Sequence, residues 1–333
     1  MLTTGKALPS VYGAAAPKTN NADLRTKGYE IAITYRDRVQ VLGKPLDYNI
    51  SATFNDFVGH ITKFHNPENE LSTYYEGMKY GEIWGYVTDG FFATDEEAKN
   101  YPVDQSPVNS IIYSSTGENL GLRAGDLKYV DVDGDGVIGK GTNTLDNPGD
   151  RKVIGNSTQR FQFGANLGVG YKGFDLSVML QGVGKRDVTL GGRALFPFAA
   201  GGNDGVFDPV YYNQTDYWQA ISYDPNDPNY MVPKNPNAKL FRIYGQGGNS
   251  GSNARTSDKY LQDGSYMRIK NMTLSYTFPK QWIEKIHLNQ LRLYVSVENL
   301  ATFTSLPKGY DPESLNWSYP FYRTWSVGAN ISF

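Results

Sequence analysis

Between Arg160 and Gly184 the chain alternates apolar with small or polar residues around a two-residue break. Phe161, Phe163, Ala165, Leu167, Val169 and Tyr171 alternate with Gln162, Gly164, Asn166, Gly168 and Gly170. After Lys172-Gly173 the phase resets, with Phe174, Leu176, Val178 and Leu180 against Asp175, Ser177 and Gln181. Side chains of a strand point alternately to its two faces, so these runs predict a hairpin with one apolar and one polar face. A soluble sandwich would put charged residues outside and a packed apolar face inside. Here the polar positions are mostly Gly, Asn, Ser and Gln, which suits the lumen side of a membrane barrel strand.

The pattern recurs. Tyr29, Ile31, Ile33 and Tyr35 alternate with Glu30, Ala32, Thr34 and Arg36, and Leu46, Tyr48, Ile50, Ala52 and Phe54 with Asp47, Asn49, Ser51 and Thr53, predicting a second hairpin. Later runs are Met272, Leu274, Tyr276 and Phe278, then Leu291, Leu293, Val295 and Val297, then Trp325, Val327, Ala329, Ile331 and Phe333. Met267 and Ile269 fall in the opposite phase to Met272, which predicts a bulge near Asn271. Each run approaches the about 9–11 residues that a tilted membrane-spanning strand requires. Aromatic residues at the run ends, such as Tyr171, Phe174, Phe278 and Trp325, stand where interfacial girdles belong. No apolar run approaches the about 20 residues of a spanning helix. The expected fold is therefore all-β, a partial antiparallel transmembrane β-barrel of about eight to ten strands. Two long irregular stretches, roughly 88–159 and 185–264 and rich in Gly, Asn, Asp, Pro and Tyr, are expected as extracellular loops.

Composition removes several function classes. With no Cys, the chain has no disulfide framework, thiolate zinc site or cysteine nucleophile. The three histidines, His60, His65 and His287, lack ligand-like spacing. A formal net charge of -2 gives no electrostatic reason to bind nucleic acid. No nucleophile elbow, HExxH or paired-carboxylate arrangement stands out, so no catalytic residue is expected and the chain is not read as an enzyme.

The densest polar motif is Asp131-Val132-Asp133-Gly134-Asp135-Gly136-Val137-Ile138. Asp131, Asp133 and Asp135 at alternate positions, followed by Gly136, form the first half of a calcium loop of the EF-hand kind, whose oxygens wrap one hard cation. Thr142 stands where a bidentate Glu would close the set, with Asp146 or Asp150 as substitutes. The alternative is an Asx/Gly turn satisfied by its own backbone. Calcium is thus a candidate ligand, and no other cofactor is required. The same glycines spell GxGxxG and GxxxxGK, but Gly141 stands where the phosphate loop needs Ser or Thr, so both matches are read as accidental. Aromatic residues of the second long loop, Tyr217 and Trp218 foremost, are candidates for stacking on sugar rings or gripping a peptide, against plain loop packing.

Several segments together carry a family pattern. They are Leu8-Pro9-Ser10, Asn20-Asn21-Ala22, Lys27-Gly28-Tyr29-Glu30, Gly125-Asp126-Leu127-Lys128-Tyr129 with the Asp motif, Tyr171-Lys172-Gly173-Phe174-Asp175-Leu176-Ser177, Asp263-Gly264-Ser265-Tyr266-Met267-Arg268-Ile269-Lys270-Asn271 and Glu298-Asn299-Leu300. In order and spacing, across essentially the whole chain, they resemble the C-terminal portion of the SusC/RagA family of TonB-linked outer-membrane transporters. The resemblance implies a part of a 22-stranded barrel in the Gram-negative outer membrane. It further implies import of oligosaccharide or peptide, a SusD-like surface lipoprotein as partner, and energy from TonB through an N-terminal region. The signal peptide, the TonB-contacting segment, the plug domain and the first barrel strand of that family are expected to lie N-terminal to Met1. A calcium-dependent glycan-binding or adhesive extracellular β-protein is the alternative reading.

Overall fold

The computed structural model describes residues 2–4, 13, 18–108, 121–191, 195–196, 211–243, 253–315 and 321–333. The Leu8-Pro9-Ser10 segment lies outside them. In chain order the strands are β1 (Leu2–Thr4), β2 (Lys18–Asn20), β3 (Ala22–Val41), β4 (Lys44–Phe64), β5 (Glu82–Tyr86), β6 (Thr88–Phe91), β7 (Leu127–Tyr129), β8 (Arg151–Asn156), β9 (Arg160–Tyr171), β10 (Phe174–Lys185), β11 (Asp187–Thr189), β12 (Leu261–Asp263), β13 (Tyr266–Thr277), β14 (Gln290–Thr304) and β15 (Thr324–Ser332). Short helices among the described residues include α1 (Asp95–Lys99) and α2 (Lys280–Ile283). No helix among the described residues is long and apolar enough to cross a membrane, which says nothing about crossing by strands.

The chain divides into two units. The first, Thr26–Val58 with Thr158–Arg186 and Asp263–Phe333, is the sheet unit. Among the described residues its sheet has seven strands in the order β15-β14-β13-β10-β9-β4-β3, antiparallel from β15 through to β4. This open antiparallel sheet is the expected partial barrel, and the other strands among the described residues are short ribbons.

Register makes the alternation of single strands into rows. Ile50 pairs with Leu167, Leu167 with Val178, Val178 with Met272, Met272 with Val297 and Val297 with Trp325. Beside it runs Tyr48, Val169, Leu176, Leu274, Val295 and Val327. Many members of these rows are exposed, Val327 by 82%. An apolar face of this extent in water would be an aggregation surface, and in lipid it is solvated. The other face carries Asn49, Gly168, Ser177, Thr273, Ser296 and Ser326 in one row.

Two tight turns pin that register. Leu42-Gly43 and Lys172-Gly173 have positive φ at both positions, 49° and 70° in the first, 51° and 85° in the second. Two-residue loops of this kind carry the twist that antiparallel strands need. The predicted bulge is present: the register shifts between Ile269 and Asn271, and the extra residue Lys270 brings Met267 and Ile269 onto the face of Met272 and Leu274.

The second unit, Met1–Arg25 with Gly59–Ser157 and Asp187–Gln262, is the ribbon unit. It takes in most of the two stretches expected as irregular loops, and it is folded. Two-stranded sheets β5-β8, β6-β7, β11-β12 and β1-β2 thread it. Tyr86, Leu127, Tyr129, Ile138, Phe241 and Tyr260 bury one core, and Trp218, Ala124, Ala220, Met231 and Ala238 a smaller one. These contacts join residues far apart in sequence, which local patterning does not reveal.

Candidate functional site

In the ribbon unit the Asp-rich motif forms a tight loop. Gly134 and Gly136, at φ 80° and 82°, give the chain its reversals. The Asp131 carboxylate accepts hydrogen bonds from Gly134 N (2.7 Å) and Gly136 N (2.9 Å), Asp133 from Asp135 N (3.2 Å), and Asp135 from Val137 N (2.8 Å). Backbone bonds from Ile138 N to Asp104 O (2.7 Å) and from Asp104 N to Gly136 O (2.8 Å) fasten the loop, with the Ile138 side chain fully buried.

Asp150 closes the arrangement. It is 0% exposed and accepts from Val132 N (2.7 Å) and Gly139 N (2.7 Å), so the carboxylate is fixed beneath the loop. Carboxylate oxygens of Asp131, Asp133 and Asp150 all lie within 4.8 Å of one another. Asp135 is not one of this trio, and Asp150, eighteen positions after Val132, takes the closing place that the sequence left open between Asp146 and Asp150. For Asp133 the Asp135 N–H pulls the carboxyl downward, yet partial loss of water and the charges of Asp150, Asp135 and Asp131 outweigh it and raise its pKa above the usual carboxylate value. Converging anionic oxygens of this kind suit a hard, oxygen-liganded cation.

The aromatic candidates part company. Trp218 is 1% exposed, packed over Gly125, where an added Cβ would meet the indole at 2.6 Å; its ring has no face to offer a ligand. Tyr217 is partly buried against the main core. Among their described neighbours Tyr211, Tyr212 and Tyr223 are exposed. Aromatic residues clustered in a sequence do not reveal which of them anchor a core, and this pair shows why.

The sheet unit holds two ion-pair clusters that patterning missed. Arg160 grips Asp56 through Nε (2.5 Å) and Nη2 (2.6 Å). Arg268, 1% exposed, donates through Nη2 to both oxygens of Asp311 (2.8 and 2.7 Å) and through Nε to Thr302 Oγ1 (2.8 Å). Its Nη1 lies 2.9 Å from Glu313 Oε1 without hydrogen-bond alignment, while Lys270 Nζ donates to Glu313 Oε2 (2.9 Å). Near the tight turns a concavity of about 830 Å³ is lined by Arg36, Lys44, Asp47, Asn49, Asp175 and Arg292, mixed in charge.

No family model matches the chain. Curated relatives do. TonB-dependent receptor P3 of Formosa agariphila is 26% identical over 361 residues, covering 98% of this chain and 30% of the relative. TonB-dependent receptor P39 of the same organism is 22% identical over 360 residues, covering 98% of this chain and 32% of the relative. Over nearly its whole length the chain is similar to these TonB-dependent receptors. Solved structures share its fold: that of the RagAB peptide transporter covers 98% of this chain and 31% of its own at a TM-score of 0.60 and 17% identity. The RagAB peptide importer in the 'closed-closed' state covers all of this chain at a TM-score of 0.59 and 17% identity. The chain spans about a third of the length of the curated relatives it matches. Its seven-stranded sheet is a piece of an outer-membrane barrel wall, its setting is the Gram-negative outer membrane, and its relatives are receptors and transporters rather than enzymes.

Proposed function

We propose that the chain is part of a nutrient importer of the outer membrane, driven through TonB and working with a SusD-like surface lipoprotein to take up oligosaccharide or peptide. The observation that carries this reading is the two-faced sheet, apolar rows on one side and a small, polar row on the other. Such a wall encloses a polar lumen in lipid. The names of its relatives and the RagAB fold support the same reading.

The test is uptake. Cells lacking the gene are expected to lose accumulation of a labelled oligosaccharide or peptide mixture, and cells lacking TonB to lose it equally. Unchanged uptake in both strains would overturn the proposal. A tagged receptor is expected to bring down a surface lipoprotein from detergent extracts.

A second proposal concerns the acidic trio. Asp131, Asp133 and Asp150 would hold a calcium ion, which would tie the Asp-rich loop to the start of β8. The favouring observation is the buried, backbone-held Asp150 carboxylate facing two like charges. Binding of calcium by the purified protein is expected to be stoichiometric and to be lost in D150N.

A further inference from the structure

The ribbon unit carries a hollow that neither proposal uses. Where β5 and β8 pair, Trp84 lies directly opposite Val153, beside a register shift between Ile83 and Trp84. Cross-strand partners share a face, so the indole and the Val153 side chain form one apolar surface. The hollow there has a volume of about 420 Å³, with Trp84, Val153 and Pro148 in its lining and Asp146, Asn147 and Lys152 among its polar groups.

Those polar groups differ in how much of their bonding is already taken. Arg151, also in the lining, is consumed: it donates to Pro148 O (3.2 Å), Lys140 O (3.1 Å) and Asn143 Oδ1 (2.8 Å). Asn147 uses its Oδ1 on Gly149 N (3.3 Å) and keeps its side-chain N–H donors. Asp146 and Lys152 are exposed and have no side-chain partner among the described residues. The rim thus offers one acceptor charge, one donor charge and one amide donor beside an aromatic surface.

We propose that this hollow is a subsite for a neutral saccharide ring. The C–H face of a sugar packs on an indole, and its hydroxyls both donate and accept, which matches a carboxylate set against an amide and an ammonium. In the lining as a whole Asp133 and Asp146 balance Arg151 and Lys152, so the hollow selects no ionic ligand. Asp133 of the acidic trio also lines the hollow, which places the two sites side by side. The assignment rests on the import reading only in taking the bound sugar as cargo.

The experiment is calorimetric titration of detergent-purified protein with four neutral trisaccharides (cellotriose, maltotriose, xylotriose and mannotriose), with trigalacturonate and with trialanine. At least one neutral sugar is expected to bind saturably, at least tenfold more tightly than trigalacturonate or trialanine. W84A is expected to weaken it at least tenfold, and D146N and K152A several-fold with unchanged melting temperature, since both side chains are exposed. Binding of no neutral sugar at millimolar concentration, equal binding of trialanine or trigalacturonate, or D146N and K152A proteins that bind like the parent would each overturn the assignment. Sugar binding that survives while uptake proves independent of TonB would instead sink the import reading and leave the subsite standing.

Discussion

Single residues settle whether the acidic trio is a site or only a turn. The pKa of Asp133 is raised on folding, so its contribution to stability is present at low pH and is lost as pH rises past the carboxylate range. Without a cation the Asp133 carboxylate is therefore a liability at neutral pH. D133N is expected to melt higher than the parent protein in a chelator at pH 7 and to lose any calcium-induced rise; a calcium-induced rise that persists in D133N would count against the site. Tyr75 behaves similarly at the other end of the scale. Burial first, then its hydrogen bond to Glu82 Oε2 (2.5 Å), pushes the phenol up to about 12. The stability it adds is complete below about pH 10, the ordinary value, and disappears as pH climbs through 12. Y75F should flatten the alkaline melting profile in that window, and an unchanged slope would refute the assignment. Arg268 offers a third measurement. R268M strands Asp311 as a buried carboxylate without its cation, while Glu313 keeps Lys270, a change that costs about 3–5 kcal/mol in such clusters. Removing Asp311 as well, in R268M/D311L, should recover much of the loss, whereas a double variant as unstable as the single one would show that packing, not charge, is at issue. Of these residues Asp131 and Asp133 were legible in the sequence, because alternate-position acids followed by Gly form a local motif, and Asp150 was one of two candidates to close it. Asp150, Arg268 and Asp311 find their partners through the fold.

At the level of elements the sequence was most informative where two faces differ. The β9-β10 hairpin, the β3-β4 hairpin and the bulge at Lys270 were all legible, since period-two alternation, a two-residue break and a phase slip are local signals. The ribbons β5-β8 and β6-β7 were not, because their residues are buried by distant parts of the unit and lack a lipid-facing alternate row. The two faces of β13 also give a sharp contrast. Leu274 sits in an apolar row and Thr273, one residue earlier, in the polar row. L274R is expected to cost about 2–4 kcal/mol if that depth is near the bilayer midplane, and T273R much less. Heat-modifiable gel mobility after refolding into lipid reports the difference, and equal losses would mean that the faces are misassigned.

For the molecule as a whole the division into a sheet unit and a ribbon unit predicts a divided response to calcium. Amide exchange measured with and without chelator is expected to quicken within residues 121–157 and to stay constant in β9, β10 and β13; a uniform change would argue against a local cation. Architecture at this scale was half legible. Alternation revealed a barrel wall, while the folding of the long connections into a cored unit depends on pairings such as Thr88 with Asp258, 170 positions apart. One feature of the sheet bears on movement. The row Asn49, Gly168, Ser177, Thr273, Ser296 and Ser326 is nearly free of long side chains. Packed surfaces resist sliding because knobs must leave their holes, and a row with few knobs holds a neighbour by hydrogen bonds that re-form after each step. Along this stripe a neighbour packed on the sheet is expected to shift without the sheet itself having to repack.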